Sequence, residues 1–149
     1  MNVPHYEQEL DYSCLPACVR MVLAYYGEEK TESQLRALLK TRPGGTSPVQ
    51  VMLRLPNVGF EASVQMASKS ILQGQLAANH PVIVHVWTEL LPHWQGGLIH
   101  ALTVLEYNDS VVMVNDPAFA DAPLTIPTDI FLRAWAATDH LTIIIQPLS

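Results

Sequence analysis

Cysteine is nearly absent from this sequence: Cys14 and Cys18 are the only two in 149 residues. Two thiols cannot build a disulfide framework, so a small secreted scaffold is excluded. Long apolar runs are missing too. Uncharged apolar stretches such as Leu141 to Ile145 are short, whereas a bilayer span needs ~20 residues, so membrane insertion is not expected. Residues 1–10 carry Glu7 and Glu9 and have no basic-then-apolar pattern. No signal peptide is expected, and the expected compartment is the cytoplasm. Basic charge is scarce. Eight Lys and Arg stand against fourteen Asp and Glu, a net charge of −6 with no basic cluster. That argues against nucleic acid or an anionic membrane as partner. Glu, Lys and Arg are too few for a coiled coil. With 49% apolar residues the chain is also too hydrophobic for intrinsic disorder.

What remains is enough for one core. At this length folding hides roughly 70% of the unfolded surface, and residues 1–149 read as a single domain. Prolines and glycines punctuate it. Cys14 to Tyr26 predicts a helix, with Cys14, Ala17, Cys18, Met21, Val22 and Tyr25 on one stripe. Ser13 suits its N-cap, Pro16 its first turn, and Gly27 its end. Thr31 and Gln34 predict a capping box opening a helix to about Lys40. Ser47 and Pro48 open a third helix, to about Leu55. Ser68 to Asn79 suits a fourth, and Thr128 opens a short one through Trp135. Strands are expected at Phe60–Val64, Val82–Trp87, Ile99–Glu106, Val111–Asn115 and Leu141–Ile145, the last central because it is apolar on both faces. Sequential strands without intervening helices predict an antiparallel sheet and an α+β fold, N-terminal helices on a C-terminal sheet.

Cys14 falls at the predicted N-terminus of the first helix, where the helix dipole lowers a thiol pKa. On this observation alone, a small buried hydrophobe is the commoner role for a free cysteine. Cys18 lies one turn inside on the same face and reads as core. A Cys14–Cys18 metal pair lacks evident further ligands, and the spacing is wrong for a thioredoxin-like redox pair. Of the histidines His5, His80, His85, His93, His100 and His140, one stands out. His100 begins a strand, and Asp116 comes just after the strand expected to follow it, in an Asn115-Asp116-Pro117 run that on its own reads as a plain turn. If the hairpin closes with a three-residue loop, Tyr107 to Asp109, then His100 faces Asp116, Leu102 faces Val114, and Val104 faces Val112, all on one face. A two-residue loop would send Asp116 to the other face unless a bulge intervened. The competing imidazole is His93, in a Pro92–Gly97 loop with no carboxylate at a comparable register. Gln8, six residues before Cys14, carries an amide that could donate to the oxyanion of a tetrahedral intermediate.

Gln8, then Cys14 opening a helix that ends Tyr25, Tyr26 and Gly27, then the segments beginning at His100 and ending at Asp116 and Pro117, resemble the double-glycine leader peptidases. These papain-like cysteine peptidases process bacteriocin precursors, often as N-terminal domains of export transporters. The resemblance implies a papain-like fold and a Gln, Cys, His, Asp order. It makes Gln8 the oxyanion donor, Cys14 the nucleophile, His100 the base and Asp116 its orienting group. A peptide or protein substrate and an export transporter as partner are implied as well. Ser13 and Leu15 depart from the Asp and Gly that usually flank the cysteine, and a bulkier Leu15 could narrow the approach to Cys14. No transporter domain follows in this sequence, so a stand-alone domain is expected and the family's usual leader-peptide substrate is not implied.

The expected function is therefore a cysteine peptidase that needs no metal and no organic cofactor. The alternative of the same fold is a catalytically idle peptide-binding module, in which the cysteine is expected to be lost. A metal or redox sensor using Cys14 and Cys18 is the third class.

Overall fold

The computed structural model describes all 149 residues, Met1–Ser149. Helix α1 spans Cys14–Tyr25, α2 Glu32–Leu38 and α3 Pro48–Arg54. The capping box of α2 is present: Gln34 N–H donates to Thr31 Oγ1 at 3.1 Å, and Thr31 N–H to Gln34 Oε1 at 2.9 Å. Gly27 ends α1 at φ +90°, donating its N–H to the Ala24 carbonyl, a conformation that costs glycine little. Ser13 occupies the N-cap position of α1, but its side chain does not cap the helix. Its hydroxyl lies 3.0 Å from the Leu10 carbonyl and 3.2 Å from Glu32 Oε1, so it ties the arm to α2 instead.

The strands are β1 Phe60–Met66, β2 Val82–Trp87, β3 Ile99–Tyr107, β4 Val111–Asn115, β5 Leu124–Pro127 and β6 Leu141–Pro147. They form one antiparallel sheet in the order β1-β6-β2-β3-β4-β5, with β6 inside it. Helices cover both faces. Leu15, Val19 and Val22 of α1, with Leu35, Leu39 and Val51, pack on Ile83, Ala101, Ile143 and Ile145. On the other face α4 (Lys69–Ala77) and α5 (Thr128–Ala136) press Leu72, Phe131 and Trp135 onto Val84, Leu102, Val104 and Val114.

The β3–β4 hairpin corrects the predicted register. Val104 pairs with Val114 and Thr103 with Asn115; Leu102–Val114 and Val104–Val112 pairs do not occur. The loop is tighter than the three residues expected, because Asn108 N–H donates to the Val111 carbonyl at 3.0 Å. Asn108 Oδ1 also accepts the Ser110 and Val111 N–H groups, an Asx turn that favours the short connection. That loop alone would turn Asp116 to the wrong face. A bulge between Val104 and Glu106 returns it, since one extra residue restores the alternation.

Candidate active site

Strand β4 stops at Asn115, whereas β3 begins at Ile99, so β3 residues 99–102 have no β4 partner. The resulting notch is where the site is built. Thr88 N–H donates to the Leu98 carbonyl, which marks even-numbered β3 residues as the hydrogen-bonded partners of β2. Odd-numbered residues then turn their amides toward the notch. The Ala101 N–H therefore points to the place β4 has vacated, and it meets the Cys14 sulfur there.

Three segments converge on this notch. The first is the N-terminus of α1, which opens at Cys14. The second is the chain after β4. Asp116 is fully buried, and its Oδ1 accepts from His100 Nε2 at 2.7 Å and from the Ala118 N–H at 3.0 Å. The third is the N-terminal arm, held by Gln8 N–H to the Pro117 carbonyl at 2.7 Å, Asn115 Nδ2 to the Val3 carbonyl at 3.2 Å and a His5–Phe119 contact at 2.7 Å. The arm places Gln8 so that its Nε2 donates one hydrogen to the Leu10 carbonyl at 2.8 Å. The amide's second hydrogen remains available.

The electrostatics link three of these groups. Burial alone would raise the Cys14 thiol pKa. Contact with His100 and the Ala101 and Leu15 N–H groups outweighs burial and lowers it. For His100, burial opposes the charged ring, yet the hydrogen bonds to Asp116 and Cys14 raise its pKa to about 9. Burial likewise works against the Asp116 carboxylate, but His100 and His93 hold its pKa well below the usual carboxylate range. With Nε2 engaged by Asp116, Nδ1 is the ring nitrogen left for the thiol. The arrangement favours a thiolate–imidazolium pair: both charged forms persist between the lowered cysteine pKa and about 9. Alkylation of Cys14 by iodoacetamide should accordingly remain fast at ~pH 6.5, where an ordinary thiol near 8.5 is slow. In His100→Ala the onset of alkylation should move up toward the ordinary value. A wild-type profile centred near 8.5 would contradict the ion pair.

Several neighbours differ from the sequence expectation. His93 does have a carboxylate: its Nε2 lies 2.8 Å from Asp116 Oδ2, and Trp94 Nε1 donates to the same oxygen at 2.8 Å. Both residues lie in a loop without periodicity, so no pattern in the sequence assigns them partners. Trp94 also packs on the His100 ring at 4.8 Å. Leu15 does not crowd the thiol; it is 2% exposed and turns into the core beneath α1. Cys18 is fully buried and its thiol pKa is raised, chiefly by burial. His85 is a further buried histidine, its pKa lowered to about 4 by burial and by His100, which keeps it neutral at ordinary pH. No group of three or more His, Cys, Asp or Glu side chains is arranged so that it could hold a metal ion, and no helix is long and apolar enough to cross a membrane.

The same architecture occurs in known proteins. The peptidase domain of Streptococcus ComA, described as a bifunctional ABC transporter involved in quorum sensing, superposes with a TM-score of 0.80 at 24% identity, covering 98% of this chain and 99% of that one. A double-glycine motif protease from an AMS/PCAT transporter, solved in complex with the leader peptide, gives 0.78 at 24% identity, covering 98% and 92%. These likenesses establish the papain-like α+β fold. Among sequences, the pediocin PA-1 transport/processing ATP-binding protein PedD of Pediococcus acidilactici is 27% identical over 146 residues, 96% of this chain and 18% of that protein. The lactococcin-G-processing and transport ATP-binding protein LagD of Lactococcus lactis is 28% identical over 130 residues, 87% of this chain and 17% of that protein. The chain thus spans less than a fifth of the length of these relatives. The peptidase C39 family pattern matches residues 2–147, nearly the whole sequence, and the chain belongs to the peptidase C39 family.

Proposed function

We propose that the chain is a cysteine peptidase in which Cys14 is the nucleophile, His100 the acid–base and Asp116 the group that orients His100. The observation that carries this reading is the line from a thiol at a helix N-terminus, through one imidazole, to a fully buried carboxylate. The Cys14 thiolate attacks the scissile carbonyl, and its sulfur–carbon bond forms as the carbonyl electrons move onto oxygen. Protonated His100 gives its proton to the leaving amine as the carbon–nitrogen bond breaks. Neutral His100 then takes a proton from water, which attacks the thioester and releases Cys14. No metal or cofactor enters any of these steps.

We assign the developing oxyanion to two donors: the Cys14 N–H, the first of α1 and outside its hydrogen-bond ladder, and the Gln8 Nε2 hydrogen that the Leu10 carbonyl does not take. Gln8→Ala should lower kcat about 10²-fold with little change in KM, because the amide acts on charge that exists only in the transition state. A rise in KM at unchanged kcat would instead make Gln8 a substrate-binding residue.

The substrate class we propose is a precursor peptide with a double-glycine leader, with an export transporter as partner. The relatives support this by their own descriptions as transport/processing proteins, as does the protease solved with a leader peptide. The test is incubation of the purified chain with a synthetic leader–core peptide, with the products read by mass spectrometry. Cleavage at the double glycine that disappears in Cys14→Ala is the expected result. Cleavage elsewhere would overturn the substrate class, and binding without cleavage would favour the idle module.

A further inference from the structure

We propose that His93 is a positioning residue of this site: it pins the outer oxygen of Asp116 so that the inner oxygen stays aimed at His100. The inference rests on the peptidase reading above and adds a fourth side chain to its catalytic line. Asp116 uses its two oxygens differently. Oδ1 receives His100 Nε2 and the Ala118 N–H, while Oδ2 receives His93 Nε2 and Trp94 Nε1, both at 2.8 Å. Because Asp116 is ionised and only accepts, the His93 proton must sit on Nε2.

The pinning has a physical purpose. The terminal torsion of an aspartate is broad and roughly two-fold, so a carboxylate held on one edge alone can swing. Two donors on Oδ2 remove that freedom, and a fixed Oδ1 fixes the plane of the His100 ring. His93 also forms the outer wall of the pocket. Its side chain is 22% exposed, whereas Asp116 behind it is 0% exposed. Removing it would admit water to Oδ2 and weaken the carboxylate's hold on the imidazolium. The loop that presents His93 is itself fastened. Thr88 Oγ1 donates to the Gly96 carbonyl at 2.9 Å and accepts the Leu98 N–H at 3.0 Å, closing the segment between β2 and β3 at its base. The His93 ring meets Phe119 edge-on at 5.0 Å, so a packing role must be separated from a donor role.

Two substitutions make that separation. His93→Phe keeps a ring against Phe119 and removes the donor. His93→Gln gives up the ring and keeps an N–H that can reach Oδ2. Two readouts apply: the rate of Cys14 alkylation by iodoacetamide at ~pH 6, which needs no substrate, and kcat and KM on a leader–core peptide. We expect His93→Phe to lower both alkylation and kcat roughly tenfold, the scale seen when partners behind a functional ligand are removed, with KM unchanged. His93→Gln should recover most of that loss. His93→Ala replaces the Phe variant should the latter fail to fold by circular dichroism. A donor-free variant as reactive as wild type, or a Gln variant as poor as Phe, would overturn the role of His93 and leave the peptidase reading intact. A wild-type Cys14 that alkylates like an ordinary thiol would overturn that reading and this inference together.

Discussion

Cys14→Ser should abolish turnover, by roughly 10⁵-fold or more on the scale of nucleophile deletions in hydrolases, while Cys18→Ser should leave kcat/KM within about twofold. The two thiols are one helical turn apart, yet their surroundings oppose each other. Cys14 sits at the helix N-terminus with His100 and two backbone N–H groups lowering its pKa. Cys18 is fully buried, its pKa is raised by burial, and its only stabilising neighbour is the Thr103 hydroxyl. Serine at 14 replaces a thiolate by a hydroxyl that His100 cannot ionise in advance, so the ion pair is lost along with the better nucleophile. Serine at 18 buries a hydroxyl, but Thr103 Oγ1 is a buried atom without another partner and can pair with it, which limits the cost to about 1 kcal/mol. Steady-state cleavage of one leader–core peptide by both variants checks the contrast. Equal loss in both would place the function on the cysteine pair and not on Cys14 alone.

Asp116→Asn should lower kcat by about 10³- to 10⁴-fold, toward the upper end known for the equivalent change in serine proteases, and it should also cost stability. The reason lies in the four donors around the carboxylate. An asparagine must turn its NH₂ toward one pair of them. Facing outward, the NH₂ meets His93, which can shift its proton, and Trp94, which cannot; facing inward, it meets His100, which can, and Ala118 N–H, which cannot. Either way one buried donor loses its acceptor, at about 1–3 kcal/mol. The inward choice also inverts the tautomer that His100 needs. Thermal unfolding together with kcat on the same variant tests this. A variant with native stability and native kcat would show that the buried carboxylate orients nothing.

The helices and most strands were legible because their signals are local. The Thr31–Gln34 box, Pro16 in a first turn and the β-branched run at Val82–Trp87 depend on neighbours within a few residues, and the structure keeps them. β5 was not foreseen: its four residues Leu124–Pro127 contain a single buried side chain, Ile126, and a segment that short has no periodicity to read. The hairpin register depends on a tertiary detail, the bulge after Val104. The His100–Asp116 contact was anticipated on the wrong pairing and is present on another, because loop shortening and bulge together displace Asp116 along the strand without changing its face. Ser13 bears a capping residue's identity, but Glu32 from α2 competes for its hydroxyl, and that competitor is 19 positions away in sequence. His93 and Trp94 have no local pattern at all. Their partner, Asp116, is known only once the loop is folded over the end of the sheet.

Cys14 and His100 are borne by opposite sides of the sheet. Cys14 belongs to the helix layer packed on Ile83 and Ala101, whereas His100 is paired with Val86 on the side that carries α4 and α5. Their separation is therefore a thickness, set by how closely α1 settles onto the strands. A change of volume at Leu15, Val19 or Val22, the α1 side chains packed with Ile83 and Ala101, would therefore reach the thiol–imidazole spacing without touching the notch. Distant contacts that press on or loosen that helix layer would act as a throttle on turnover without touching a reacting atom.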